Sequence, residues 1–204
     1  MLGGYATRLL YDLIDKNTGP LSPENPLIFM TGPFTGLAAT SPKVFIVTRS
    51  PLTVFLGKAA ASGSFGPVLR KAGYNGIIIK GKAKGPVFLS IVDDTRKLHD
   101  ASAIWGEGVF DSCKMVKESL GDQKARIAVI GPAGENLVKE AAIMTDERRA
   151  FGRTGVGAVM GSKLLKAIAV LGSKKVVVED EKKLSELNKK YLIGAPTTSR
   201  SGGL

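Results

Sequence analysis

Two runs of small residues constrain the fold of this chain more than any other feature, because a backbone without bulky side chains can turn tightly or lie directly against another backbone. The first reads Ala59-Ala60-Ala61-Ser62-Gly63-Ser64-Phe65-Gly66, continues as a helical stretch over 67–72, and passes through Gly73-Tyr74-Asn75-Gly76 into a strand at Ile77-Ile78-Ile79. Pro67 fits the first turn of that helix and Gly73 its end. The second reads Arg149-Ala150-Phe151-Gly152-Arg153-Thr154-Gly155-Val156-Gly157-Ala158, then a helix over 159–163 and a strand over 167–170. Shifted by 91 residues, Gly66 falls on Gly157, Val68 on Val159, Ile77 on Ile168, Ile79 on Val170 and Gly81 on Gly172. Both segments read small-residue loop, short helix, strand, which is the pattern an internal duplication leaves.

Such loops suit anions, since amides at a helix start supply donors and the positive end of the helix dipole. The first loop carries no charge after Lys58 and would bind through main-chain N–H groups and the hydroxyls of Ser62 and Ser64. The second adds Arg148, Arg149 and Arg153, whose planar guanidinium groups can clamp phosphate in bidentate fashion. The competing reading is that these glycines serve turns and close helix packing, and spacing leaves both open. Neither loop is a nucleotide fingerprint: the glycines of 155–161 do not follow G-x-G-x-x-G, and Val156 stands where a P-loop before Gly161-Ser162-Lys163 needs its first glycine.

Around these segments the hydrophobic periodicity predicts helices over 6–14, 109–119 and 179–190, and strands over 27–30, 44–48, 87–92 and 126–130. Residues near His99-Asp100 read as a loop, Gly131-Pro132-Ala133-Gly134 as a turn, and 194–204 as unpatterned. The fold class is therefore α+β, rich in strands with short helices, in one large domain or two small ones across 204 residues. A hydrophobic content of 44% supports a real core and excludes a disordered or collagen-like chain. One cysteine, Cys113, excludes an internal disulfide and a self-contained zinc or iron–sulfur centre. No apolar run approaches a membrane span, and Met1-Leu2-Gly3-Gly4 lacks a secretory start, so the expected location is the cytoplasm. The charge of +11 points to phosphate-bearing or acidic partners, or to a Lys-rich solvated surface. Nucleic acid ranks last among the partners, since there is no aromatic or arginine-rich reading element. Catalytic constellations are missing: His99 reads as a surface residue, Ser50 is not in a nucleophile elbow, Cys113 reads as a buried thiol, Trp105 as core, and Glu135-Asn136 as a turn.

Several longer words carry a resemblance. They are 20–27 (PLSPENPL), 31–36 (TGPFTG), 48–53 (TRSPLT), 65–67 leading to Ala72-Gly73-Tyr74, 100–106 (DASAIWG), 130–137 (IGPAGENL) and 155–163 (GVGAVMGSK). In order and spacing the chain resembles the N-terminal domain of the tungsten-containing aldehyde:ferredoxin oxidoreductase family. That resemblance implies a β-rich domain of two pseudo-twofold halves with mixed sheets. It would span 1–178, in halves of about 1–100 and 101–178, with 179–204 opening a downstream domain. It also implies a bis-pyranopterin tungsten (or molybdenum) cofactor, each half offering one small-residue loop to one pterin. A magnesium ion joining the two phosphates would take the backbone carbonyls of Ala60 and Ala150. The cofactor-binding residues it implies are Lys43, Ala60, Ala61, Ser62, Gly63, Arg149, Ala150, Phe151, Gly152 and Arg153. Lys43 replaces a family arginine and loses its fork. The family's Asn-Ser-Gly-Gly reads Ala60-Ala61-Ser62-Gly63, and Phe151, enlarged from a small residue, would narrow its pocket or stack beside a ring. The cysteines of the family's 4Fe-4S cubane and its acid–base residues lie downstream of the region matched here. The chain is thus expected to be a fragment or one piece of a split enzyme, inactive alone. Its partners would be ferredoxin for the full-length enzyme, the missing C-terminal domains or a second subunit, and possible further copies of itself through the face so exposed. The alternative is a non-catalytic anion- or pterin-binding module.

Overall fold

The computed structural model describes residues 2–146 and 148–194; the tail from 195 lies outside the described residues. Leu27-Ile28-Phe29-Met30 is apolar without alternation, and a strand of that kind must be covered on both faces. As β1 (Leu27–Met30) it is fully buried in an antiparallel sheet of order β3-β2-β1-β4, with β2 (Val44–Arg49), β3 (Leu56–Ala61) and β4 (Gly76–Ile79). A second sheet begins with the hairpin β5 (Val87–Val92) and β6 (Thr95–Asp100) and adds β7 (Arg126–Val129), β8 (Ile143–Thr145), β9 (Arg149–Phe151) and β10 (Leu165–Leu171). Its order is β6-β5-β10-β7-β8-β9, mixed because β5 runs parallel to β10.

The two sheets share one plan. Strand β7 lies between β8 and β10 as β1 lies between β2 and β4, and β9 flanks β8 as β3 flanks β2. The registers also correspond: Met30, Phe45, Ala60 and Gly76 lie abreast in the first sheet, Val129, Met144, Ala150 and Ala167 in the second. A short helix joins the third strand to the fourth in each, α2 (Phe65–Lys71) and α5 (Val156–Ser162). The duplication suggested by spacing is therefore present as topology, with the β5–β6 hairpin added beyond β10.

The layers follow from which faces are apolar. Helix α1 (Leu2–Leu13) covers the outside of the first sheet through Ala6 and Leu10, and α3 (Val109–Leu120) the outside of the second through Cys113 and Val116. Between the sheets lies the main core, with Phe29, Phe65 and Leu69 meeting Ile130, Phe151, Met160 and Ile168. Here one helix crosses over and the other bridges: α2 packs on β7 and β10 of the opposite sheet, while α5 packs on β8 and β10 of its own sheet and also reaches β1 and β2. All seven residues of α5 are buried. The amide of Gly157 donates to the Ala141 carbonyl at 2.8 Å, and a Cβ at Gly157 would stand 2.5 Å from the carbonyl oxygen of Ala142. For this segment, close packing is the reason for its glycines.

Several expectations need correction. Residues 56–61 form a strand rather than the start of a loop, since alanine and glycine disguise β character that pairing with β2 enforces. Thr95–Asp100 is an edge strand, not a loop; almost wholly exposed, it has no need of the alternation that reveals a strand. The turn at 131–134 is a one-turn helix, α4 (Pro132–Glu135), and Trp105 is half-buried instead of core. The C-terminal charged helix, α6 (Glu181–Gly194), starts two residues later than its charge pattern indicates and runs to the end of the described residues. No helix among the described residues is long and apolar enough to cross a membrane.

Candidate functional site

Strands β3 and β9 are the terminal strands of their sheets, and they face each other. Terminal strands present backbone N–H and C=O groups that the ladder does not use. Between them lies a cleft of about 440 Å³, walled by Lys58, Ala59 and Ala60 on one side and by Ala150, Gly152 and Arg153 on the other. Apart from two cations, the walls offer nothing larger than a methyl group. Ala60 and Ala150 hold the same lattice position in the two sheets, so their backbones approach the cleft as a related pair.

The other sequence candidates gather around this cleft unevenly. Ala61 points into the core, leaving only its backbone available. Ser62 and Gly63 form the turn after β3, and Gly63 has a φ of 118°, a conformation that favours glycine. Arg149 meets that turn from the second half: its Cγ lies 3.5 Å from where a Cβ on Gly63 would sit. Lys43 is exposed one residue before β2, and since Val44 pairs with Ala61, it stands at the Ser62 end of the sheet, outside the cleft lining. Phe151 neither narrows the cleft nor stacks in it. Its ring is 1% exposed in the core, edge-on to Phe29 at 6.0 Å, because strand alternation turns it away from Ala150.

The helix starts are also not the anion sites that the loops suggested. The Ser64 amide at the start of α2 donates to the Asp146 carboxylate at 2.5 Å, and the start of α5 is buried. What the segments bring to a ligand is their edge strands. Asp146 went unnoticed in the sequence because nothing local marks it; its carboxylate spans from the β8–β9 turn to the first loop and ties the two halves together beside the cleft. Lys58 is concealed for a different reason: the small residues of 59–66 have the composition of a loop. Once 56–61 is a strand, alternation puts Lys58 and Ala60 on the same exposed face.

Other polar residues serve the scaffold. Lys166 and Glu135, both buried, form an ion pair; Lys166 also donates to the Glu107 carbonyl at 2.8 Å, and Glu135 accepts from the Gly106 amide at 2.8 Å. Glu135 thus anchors the 106–107 loop, while Asn136 makes the local turn bond expected of it, to the Pro132 carbonyl. Lys163 is buried and donates to the carbonyls of Pro23 and Gly81, and burial holds its ammonium down to about 8. His99 stacks on Phe88 with Nε2 at 2.8 Å from Ser90 Oγ; burial, then nearby Lys97, lowers its pKa. Ser50 donates to the Thr154 carbonyl, and Cys113 is buried on the sheet-facing side of α3. Among the described residues no group of three or more His, Cys, Asp or Glu side chains could hold a metal.

Residues 2–172 match the family described as aldehyde ferredoxin oxidoreductase, N-terminal domain. The chain belongs to this family. It is 51% identical over 181 residues to a tungsten-containing aldehyde ferredoxin oxidoreductase of Pyrococcus furiosus, a match covering 88% of this chain and 30% of that protein. It is 38% identical over 189 residues to an aliphatic sulfonate oxidoreductase, WOR-like subunit, of the same organism, covering 86% of this chain and 30% of the relative. Among solved structures, the active-site complex of benzoyl coenzyme A reductase with 1,5-dienoyl-CoA superposes with a TM-score of 0.90 at 36% identity, covering 94% of this chain and 29% of that one. The chain therefore spans under a third of the length of the relatives it matches. Those relatives carry three different substrate names.

Proposed function

We propose that the β3–β9 cleft seats the phosphate-bearing ends of a bis-pyranopterin tungsten (or molybdenum) cofactor, in an oxidoreductase that converts aldehydes to carboxylic acids with ferredoxin as electron acceptor. The observation that carries this reading is the pair Ala60 and Ala150, on equivalent sites of two edge strands, facing one cleft whose larger side chains are both cationic. The residues present fit such a group. Two walls of methyl groups and one glycine admit a flat, broad ligand close to backbone, and a Cβ on Gly152 would meet nothing nearer than the Ala150 Cβ at 3.8 Å.

In this reading the backbone carbonyls of Ala60 and Ala150 would be the protein's ligands to a magnesium ion, Arg149 and Arg153 would hold phosphate from the second half, and Ser62 and Gly63 would do so from the first. Lys43 adds charge at the Ser62 end. When bound, the metal–dithiolene centre supplies the two-electron chemistry, and the protein supplies position and field. A 4Fe-4S cubane needs cysteines from the remaining part of the enzyme or a second subunit, since Cys113 is buried behind the second sheet.

The test is to purify the chain from a tungstate-fed host that makes the pterin, and to assay pterin, phosphorus, tungsten and molybdenum. Pterin should co-purify with the wild type and be lost from Gly152→Asp, which places a carboxylate in the cleft where there is room for it. Absence from the wild type, or retention by a folded Gly152→Asp variant, would overturn the reading.

A further inference from the structure

We propose that Lys58, held on the ring of Phe45, is the cationic contact of the first half to a phosphate group in the cleft. The proposal rests on the cleft reading above and adds to it a residue outside the two small-residue loops. Strand β3 alternates strictly, with residues 56, 58 and 60 exposed and 57, 59 and 61 buried. Lys58 therefore lies on the face of Ala60 and lines the cleft beside it. Phe45 is the direct cross-strand partner of Ala60. A single methyl leaves the ring face uncovered, and the Lys58 ammonium occupies it, 5.0 Å from the ring centroid.

That arrangement orders the side chain without neutralising it. An aromatic face attracts a cation but leaves its N–H groups able to reach an anion, which a carboxylate partner would not. Lys58 takes part in no ion pair among the described residues. Across the cleft stands Arg153, and the lining contains no acidic residue. One wall thus offers a point charge and the other a planar fork, each from a different half, and a ligand carrying two linked anionic groups satisfies both. Lys43, the first-half cation that family likeness singles out, lies outside the lining. Lys58 supplies first-half charge within the lining, where Lys43 stands outside it.

Inorganic pyrophosphate is the probe, titrated calorimetrically into the full chain. Lys58→Met should weaken binding about tenfold, as loss of a charge-assisted hydrogen bond does, with Lys58→Arg within about threefold of wild type. Arg153→Met should weaken it comparably, and Phe45→Leu by a smaller factor, through a less ordered lysine. A structural effect would not reproduce the second readout, acetylation footprinting by mass spectrometry: pyrophosphate should protect Lys58 while leaving Lys43 and Lys97 labelled. Binding lost in Arg153→Met but unchanged in Lys58→Met, with Lys58 unprotected, overturns this proposal and leaves the cleft reading intact. No binding by the wild type, or binding indifferent to both substitutions, overturns the two together.

Discussion

Replacing Gly157 by alanine sets two principles against each other, and the structure decides which wins. Alanine stabilises a helix interior by about 0.5–1 kcal/mol relative to glycine, so propensity alone predicts a gain. In α5, however, the new Cβ would lie 2.5 Å from the Ala142 carbonyl oxygen and 2.7 Å from that of Ala141. Ordinary contacts of that kind begin above 3 Å, so the helix must retreat from the 141–142 backbone by roughly half an ångström. Retreat strains the 2.8 Å bond from Gly157 to Ala141 in a layer buried on every side. Overpacking costs about 1–3 kcal/mol and the weakened bond up to about 1 more, leaving a net loss of about 2 kcal/mol after the helix gain. At this length the melting temperature should fall by roughly 4–8 °C. Urea unfolding followed by circular dichroism measures the difference, with Gly4→Ala in α1 as the control, because a Cβ there meets nothing within 4 Å and should stabilise. If Gly157→Ala matches or exceeds the wild type, the account of α5 as a helix held by backbone approach is wrong.

Three further outcomes are expected. Lys163 is protonated in both folded and unfolded chains below about pH 8, and between 8 and its ordinary 10.5 the unfolded chain binds more protons, so stability should climb with pH by about 3 kcal/mol at most. Urea midpoints from pH 7.5 to 10.5 should rise more steeply for wild type than for Lys163→Met, and parallel curves would contradict the burial argument. Lys166→Met leaves the Glu135 carboxylate buried with no cation and only the Gly106 amide as partner, and should cost about 3–5 kcal/mol in denaturant unfolding, whereas a loss under 1 kcal/mol would mean water reaches that pair. Phe151→Ala should cost about 3–5 kcal/mol, as befits a core ring; a near-neutral effect would return that side chain to the cleft.

How much was legible in the sequence depended on whether a residue announces itself locally. Strands β1 and β5 stand where runs of apolar and β-branched residues place them, and the halves betrayed their kinship through glycines and isoleucines at a fixed shift. Strands β3 and β9 did not, because residues such as Gly57, Ala59 and Ala150 carry no β preference and are extended only by pairing with β2 and β8. That single omission hid Lys58 and misdirected Phe151, since both orientations follow from alternation. Asp146 and the Lys166–Glu135 pair were invisible for another reason: their partners lie 82 and 31 residues away. Words such as 130–137 and 155–163, by contrast, located the family before any geometry was known.

The crossing of α2 to the second sheet has a consequence for assembly. The first sheet's helix α2 packs on the second sheet and α5 packs on both, so a chain interrupted between β4 and β5 would leave α2 without the strands it covers and the two edge strands with no mouth between them. Contacts this distant along the chain form late. The gap between the two edge strands therefore exists only where both halves of the polypeptide are docked on each other.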